Sequence, residues 1–306
     1  MLFLYQLFHY AEIMRLLWLF IFTALSLNSL QAQTQRALIV GIGIYPEERG
    51  WGKIHGDNDI PMIREALAGR GFYLQNIMEL RNEQATKKSI VNSLNALKSR
   101  SQQGDNVFIH FSCHGQQVVD LDGDEEDGYD EAIIPYDANK DYKKGVYEGE
   151  NHLIDDELNR YLTSIRKKIG QSGTLLVVID ACHSGGGTRG ESAQDDSLII
   201  RGTDQPFLLE GKKLKFNNLK QKLDWVVISA SQSYQNNYEY RFESTYFGSL
   251  SYAVKLAMGE LKSGESYSDF FSLIQIKREQ MKVSRYPQRP MIEGIISNQN
   301  QKAFTR

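Results

Sequence analysis

Beyond its first thirty or so residues, the chain alternates two kinds of apolar pattern. Apolar runs rich in β-branched residues occur within RALIVGIGIY (36–45), DNVFIHFSCHG (105–115), TLLVVIDACHSGG (174–186) and DWVVISASQ (224–232), and IMELRN (77–82) reads as a further short strand. Such runs have no polar face, which predicts strands of a parallel sheet buried on both sides. Segments with apolar residues every three or four positions separate them: GDNDIPMIREALAGRGF (56–72), ATKKSIVNSLNALKSR (85–100), DDELNRYLTSIRKKIG (155–170), YFGSLSYAVKLAMGEL (246–261) and SYSDFFSLIQIKREQMK (266–282). These predict helices, the first with a proline in its opening turn and a glycine at its end. QRPMIEG (288–294) predicts a last edge strand. Strands alternating with helices imply an α/β fold with a mostly parallel central sheet covered on both faces. The polar, lysine-rich stretch 187–223 interrupts the alternation as a long loop would.

The opening residues do not share this pattern. Residues 16–27 (LLWLFIFTALSL) form an uncharged apolar run between Arg15 and the small-residue stretch NSLQAQ. That layout predicts a signal peptide over 1–32, cleaved after about Ala32, with Met14 the better natural start. The run is short for a membrane span, which needs about 20 residues; an uncleaved anchor is the alternative. No cysteine follows it, which excludes a lipoprotein. The expectation is an exported protein, periplasmic or secreted, with one domain over 33–306 and no stable membrane insertion after signal removal.

Composition narrows the function. The 306 residues carry 35 basic and 38 acidic side chains, a net charge of -3, so nothing draws the chain to nucleic acid. Two cysteines cannot build a disulfide scaffold or a four-thiolate metal site.

In open α/β sheets, ligands gather beyond the carboxyl ends of the strands. Two of the predicted strands end there in reactive groups, His114 and Cys182. A thiol beside an imidazole is the pairing a cysteine nucleophile needs, because the thiolate attacks and the imidazole promotes its formation. The N–H groups of Gly115 and Cys182 are candidates for an oxyanion hole. The competing reading of Cys182 is an inert core thiol. His183 follows Cys182 directly and points to the opposite face; His110 reads as a core histidine, and its strand spacing from His114 does not suit zinc. His9, His55 and His152 have no motif around them.

HFSCHGQ, DGDEEDGYDEAIIPYD, LIDDEL and VVIDACHSGG, in that order, resemble the metacaspases and bacterial orthocaspases, a family of caspase-fold cysteine peptidases. The resemblance runs from about residue 36 to 261 and takes in ISASQ and YFGSLSYA. It implies a caspase-like α/β/α sandwich and a cysteine endopeptidase that works through an acyl-thioester on peptide or protein substrates. It implies His114 as the base or imidazolium partner and Cys182 as the nucleophile. Asp180 matches the acidic specificity-pocket position, and Ser112 and Asp59 match further lining positions. Carboxylates at the pocket floor imply cleavage after Arg or Lys. Asp59 also reads as a carboxylate on a helix N-terminus.

Residues 120–131 hold eight carboxylates in twelve positions with no lysine or arginine, a density that suits Ca²⁺. Glu125 stands where an EF-hand loop needs glycine, and no helical pattern precedes it, so an EF-hand is rejected. The resemblance implies calcium as an activator at Asp130, Asp155 and Asp156, with no cofactor for the chemistry. Asp155 and Asp156 read equally as helix caps, and Arg189 replaces a further acidic position of the family. Cys113 stands where the family carries glycine, and a Cys113–Cys182 disulfide would silence the site. In caspase-like enzymes the loop after the nucleophile is cut, and Lys212, Lys213, Lys215, Lys220 and Lys222 are the candidate sites here. The rivals are a clostripain- or gingipain-like peptidase of the same fold, a catalytically silent caspase-like binding module, and a thiol–disulfide protein, which the missing C-x-x-C disfavours.

Overall fold

The computed structural model describes residues 14–15, 33–120, 128–182, 198–208, 223–232, 235–283 and 288–304. Residues 1–33 and 34–306 are separate compact units, and the second carries the fold described here. Among the described residues, no helix is long and apolar enough to cross a membrane.

The predicted strands pair into one six-stranded sheet. Its members are β1 (Gln35–Gly41), β2 (Ile77–Arg81), β3 (Asn106–Ser112), β7 (Thr174–Asp180), β8 (Val226–Ser229) and β11 (Met291–Glu293), in the spatial order β11-β8-β7-β3-β1-β2. All neighbours run parallel except β11, which pairs antiparallel with β8. Every residue of β3 is buried, as a central parallel strand requires.

Helices cover both faces. Alternate residues of the central strands, Leu38, Val107, Ile109, Leu175 and Val177, pack into one core with α2 (Lys87–Arg100) and α3 (Asp155–Ile169) through Ile90, Leu94, Leu158 and Leu162. The intervening residues Ile39, Phe108, Leu176 and Val178 form a second core with α1 (Gly56–Gly69), α4 (Ser249–Glu260) and α5 (Tyr267–Met281). Period-two alternation on strands thus feeds two layers of period-3.6 helices. The result is the α/β/α sandwich.

Two features depart from the sequence reading. Residues 246–248, read as the start of a helix, belong instead to β10 (Thr245–Gly248), which forms a two-stranded ribbon with β9 (Glu239–Phe242). A separate three-stranded sheet, β4 (Gly115–Val119), β5 (Tyr129–Ile133) and β6 (Leu153–Ile154), grows from the residues just after His114. Both sit at the carboxyl end of the main sheet, and their short mixed-polarity strands leave no strong period.

Gly56 brings the start of α1 against the end of β3: a Cβ there would lie 2.3 Å from the Ser112 carbonyl oxygen and 2.7 Å from that of Ile42. Gly259, near the end of α4, has nothing within 4 Å of such an atom. Gly56→Ala should therefore destabilise the fold by about 1–3 kcal/mol through overpacking. Gly259→Ala should be neutral or stabilising by up to ~1 kcal/mol. Urea unfolding midpoints of the two variants check this.

Candidate active site

The register of the sheet sets the site. Ser112 pairs with Asp180 across β3 and β7, and the Cys113 N–H continues the ladder to the Asp180 carbonyl at 3.4 Å. His114 and Cys182 therefore leave neighbouring strands at matched positions, both buried.

The His114 backbone is held from two sides. Its N–H donates to the Tyr45 hydroxyl (3.2 Å), its carbonyl accepts from the Ile134 N–H (3.1 Å), and the Tyr45 hydroxyl donates to the Ile134 carbonyl. The imidazole stacks on Trp51, with centroids 5.0 Å apart. Its Nε2 lies 2.8 Å from the Gly52 carbonyl oxygen, which can only accept, so Nε2 carries the proton. Nδ1 keeps its lone pair and has no hydrogen-bond partner among the described residues. Burial pulls the His114 pKa down to about 4, with the Gly52 bond opposing and the Arg201 and Lys140 charges adding to the fall. His114 is thus a neutral imidazole. Cys182 is a reduced thiol whose Sγ donates to the Gln235 carbonyl at 3.5 Å.

Gly115 and Cys182 have a common acceptor. Their N–H groups both donate to the carbonyl oxygen of Arg201, at 3.3 and 2.8 Å. The two donors named from sequence as an oxyanion hole thus already grip a peptide carbonyl.

The Arg201 side chain, fully buried, enters a pocket of carboxylates. Nη2 lies 3.1 Å from Asp59 Oδ2 and 3.0 Å from Glu239 Oε1, Nη1 lies 3.9 Å from Asp180 Oδ1, and Nη1 also donates to Ser112 Oγ. Asp59, in the first turn of α1, also accepts from Ser112 Oγ (2.5 Å) and the Gly248 N–H (3.0 Å). Asp180 accepts from Asn237 Nδ2, the Ser251 N–H and Ser251 Oγ, each at 2.7 Å. A Cβ at Gly248 would lie 2.1 Å from Asp180 Oδ2, so only glycine leaves the pocket open.

One cation among three carboxylates sets their protonation. Burial raises the Asp59 carboxyl and nearby Asp180 adds to the rise, while Arg201 opposes. Burial also acts to raise Asp180, but the Arg201 charge and the bonds from Asn237 and Ser251 outweigh it and hold it low. The guanidinium loses stability to burial and regains more from Asp59, Asp180 and Glu239, so its pKa rises.

The structure thus brings together His114, Gly115, Cys182, Asp59, Ser112 and Asp180. Asp59 stands both in the first turn of α1 and among the carboxylates around Arg201. Arg201 and Glu239 were missed: neither lies in a motif, and only the strand pairing of 198–208 with 237–239 unites them. His110 is a core histidine, its Nε2 at 2.8 Å from Ser251 Oγ. Cys113 is buried in the core, where burial pushes its thiol up to about 12, and it forms no disulfide with Cys182.

Asp130 lies on β5, and Asp155 and Asp156 lie in the first turn of α3, where Ile154 occupies the N-cap position without a side-chain bond. The two acids are first-turn residues of α3. Among the described residues, no three His, Cys, Asp or Glu side chains are grouped to hold a metal ion. The remaining carboxylates of 121–127, together with His183, the glycines 185–187, Arg189 and the five lysines of 212–222, lie outside the described residues.

The stretch 35–188, from β1 to just beyond Cys182, matches the family model of the metacaspase peptidase C14 domain. The chain belongs to this family. Metacaspase-1A of Aspergillus terreus is 34% identical over 160 residues, covering 49% of this chain and 36% of that one. Metacaspase-1A of Aspergillus niger is 31% identical over 159 residues, with 49% and 36% covered. The match thus spans about a third of the length of these curated relatives. A Geobacter sulfurreducens protein of known crystal structure aligns at a TM-score of 0.61 with 23% identity, over 89% of this chain and 98% of that one, which shows a shared fold. Arg201 and Glu239 lie beyond the stretch matched to the metacaspase domain.

The buried histidines predict how stability depends on pH. Burial lowers His110 and His114 to about 4 and His152 to about 3, against about 6.5 for a histidine in the unfolded chain. Between those values the unfolded state binds more protons, so the histidine contribution is fully present above about pH 6.5 and is lost as pH falls toward 4. Asp59, raised, has the opposite sign and offsets part of the loss. Denaturant midpoints should fall from pH 7 to pH 4.5; a flat profile would contradict neutral buried imidazoles.

Proposed function

We propose that this protein is a cysteine endopeptidase that cleaves peptide and protein substrates after Arg or Lys. The observation that carries the reading is Arg201. Its guanidinium sits among Asp59, Asp180 and Glu239 while its carbonyl oxygen accepts from the Gly115 and Cys182 N–H groups. A substrate residue on the acyl side of a scissile bond needs both placements at once, and here one residue has both.

The chemistry follows from these groups. Cys182 Sγ gives its proton to His114 Nδ1 and attacks the carbonyl carbon. The oxyanion is stabilised by the two N–H donors, a contribution of about 3–4 kcal/mol per donor in comparable sites. Collapse expels the amine, which takes the proton from His114, and water then hydrolyses the acyl-thioester. Lys fits the pocket as a point charge, whereas Arg also matches the carboxylates geometrically.

Calcium enters this proposal only as an activator, drawing on the acidic stretch 120–131 and on Asp155 and Asp156. Adding millimolar Ca²⁺ to a chelator-treated sample should raise activity, and full activity in chelator would contradict this part. The proposal also has the chain exported, on the leader pattern of 14–32; a mature N-terminus near residue 33 checks it.

Matched fluorogenic peptides ending in Arg, Lys or Asp test the specificity. Arg and Lys peptides should be cleaved and the Asp peptide not, with all activity absent in Cys182→Ala. Asp59→Ala, Asp180→Ala and Glu239→Ala should each cost about 10²- to 10⁴-fold in kcat/KM on the Arg peptide, since removing one partner of a buried charge costs about 3–5 kcal/mol. Equal cleavage of the Asp peptide would overturn the pocket assignment.

A further inference from the structure

Among the described residues three arginines are buried, and only two of them meet a carboxylate. Arg201 has Asp59, Asp180 and Glu239, and Arg166 has Asp224 at 3.3 Å together with the carbonyls of Gly170 and Gly173. Arg278, in the last turn of α5 and 7% exposed, has no such partner among the described residues. Its side chain donates from Nη2 to Gln288 Oε1, and its Nε has no hydrogen-bond partner there. Burial pulls its pKa down to about 10, with the charge of Asp180 opposing. A guanidinium withdrawn from water without a counter-charge is costly, so this position lacks an anion.

Arg278 lines a cavity of about 420 Å³ between the end of α5 and residues 288–290. Lys282, Arg289 and Gln288 line it too, and Glu279 is the one carboxylate there among the described residues. Lys282 and Arg289 are exposed, and neither side chain forms an ion pair with a described residue. Basic residues at a helix C-terminus are ordinary, because they offset the dipole. That accounts for Lys282, at the C-cap of α5, but not for the burial of Arg278.

Gln288 connects the cavity to the specificity pocket. The Oε1 that accepts from Arg278 also accepts the Tyr238 N–H at 3.2 Å. Its Nε2 donates to Asn237 Oδ1 at 2.6 Å and to Ser249 Oγ at 3.0 Å, and Asn237 Nδ2 donates to Asp180 Oδ1 at 2.7 Å. The Arg289 N–H donates to Gln235 Oε1 at 3.0 Å, and the Gln235 carbonyl lies against Cys182 Sγ. Gln288, Asn237 and Asp180 are all buried, so none shifts without the next.

We propose that this cavity is a phosphate-binding site, and that its occupancy steadies Asp180 through Gln288 and Asn237. The lining sets the class of ligand. A guanidinium offers paired N–H donors that match phosphate oxygens, and the lysine adds a point charge. Three cations against one carboxylate leave two positive charges, which a phosphate group near pH 7 balances. The volume lies within the range of small-molecule sites, so a phosphate ester fits as well as the free ion. The effect on Asp180 rests on the reading of the site as an arginine-directed peptidase; the binding itself does not.

Calorimetric titration of the full chain with inorganic phosphate and with glycerol 3-phosphate, against sodium chloride at matched ionic strength, tests the site. Both phosphates should bind saturably, and the tighter of the two tells whether the site takes the free ion or an ester. Arg289→Gln, which keeps the backbone bond to Gln235, should weaken binding about tenfold. Arg278→Gln should abolish it; should that variant fail to fold, Lys282→Gln reads the same site. A response no greater than that to chloride, or equal binding by Arg289→Gln, means ionic screening only and overturns the site. Kinetics read the coupling: phosphate should lower KM for an arginyl peptide about fivefold in wild type, with kcat unchanged. Arg289→Gln should lose that response. Saturable binding with an unchanged KM overturns the coupling and leaves the site. Protein that binds phosphate yet cleaves no arginyl peptide overturns the peptidase reading and the coupling together, while the phosphate site stands.

Discussion

A guanidinium withdrawn from water is stable only where opposite charges and hydrogen bonds replace its hydration, a loss worth several kcal/mol per buried ion. Arg201 meets that demand with carboxylates from three elements: Asp59 from the first turn of α1, Asp180 from the end of β7 and Glu239 from the start of β9. The three acids repel one another, so each needs its own support. Ser112 and Gly248 supply it for Asp59, Asn237 and Ser251 for Asp180, and His55 for Glu239. The carboxyl end of the sheet is organised around a site for one positive charge.

The same constraint fixes the backbone around Cys182. With the side chain fixed among the acids, the Arg201 carbonyl falls between the N–H groups at the ends of β3 and β7, and the next peptide bond lies against Cys182. His114 is meanwhile neutral because it is buried against Trp51 and Tyr45, and Cys182 Sγ lies against the Gln235 carbonyl. A neutral imidazole suits a site beside a buried cation, because a further charge there would meet the same desolvation cost.

Much of this is legible in the sequence. Unbroken runs such as VFIHFS and LLVVID are long, and burial on both faces leaves no other assignment, so the sheet, its helices and the convergence of His114 and Cys182 could be read directly. The family resemblance added Asp59, Ser112 and Asp180, whose carboxylates and hydroxyl do meet. Arg201 and Glu239 were not legible, because each lies on an irregular bridge or a four-residue strand and gains its role only from long-range pairing. The small sheet of β4, β5 and β6 was missed for a related reason: its strands are short and partly polar. The lysines of 212–222, the candidate processing sites, lie outside the described residues.

The central claim is that the pocket holding Arg201 is the pocket for a substrate's arginine. A crystal structure of the enzyme inactivated with an arginyl chloromethyl ketone measures this directly. The account predicts a thioether to Cys182 Sγ, with the inhibitor guanidinium among Asp59, Asp180 and Glu239 and the Arg201 side chain displaced. An adduct on Cys182 whose guanidinium lies elsewhere, with Arg201 still seated among the three carboxylates, would contradict it.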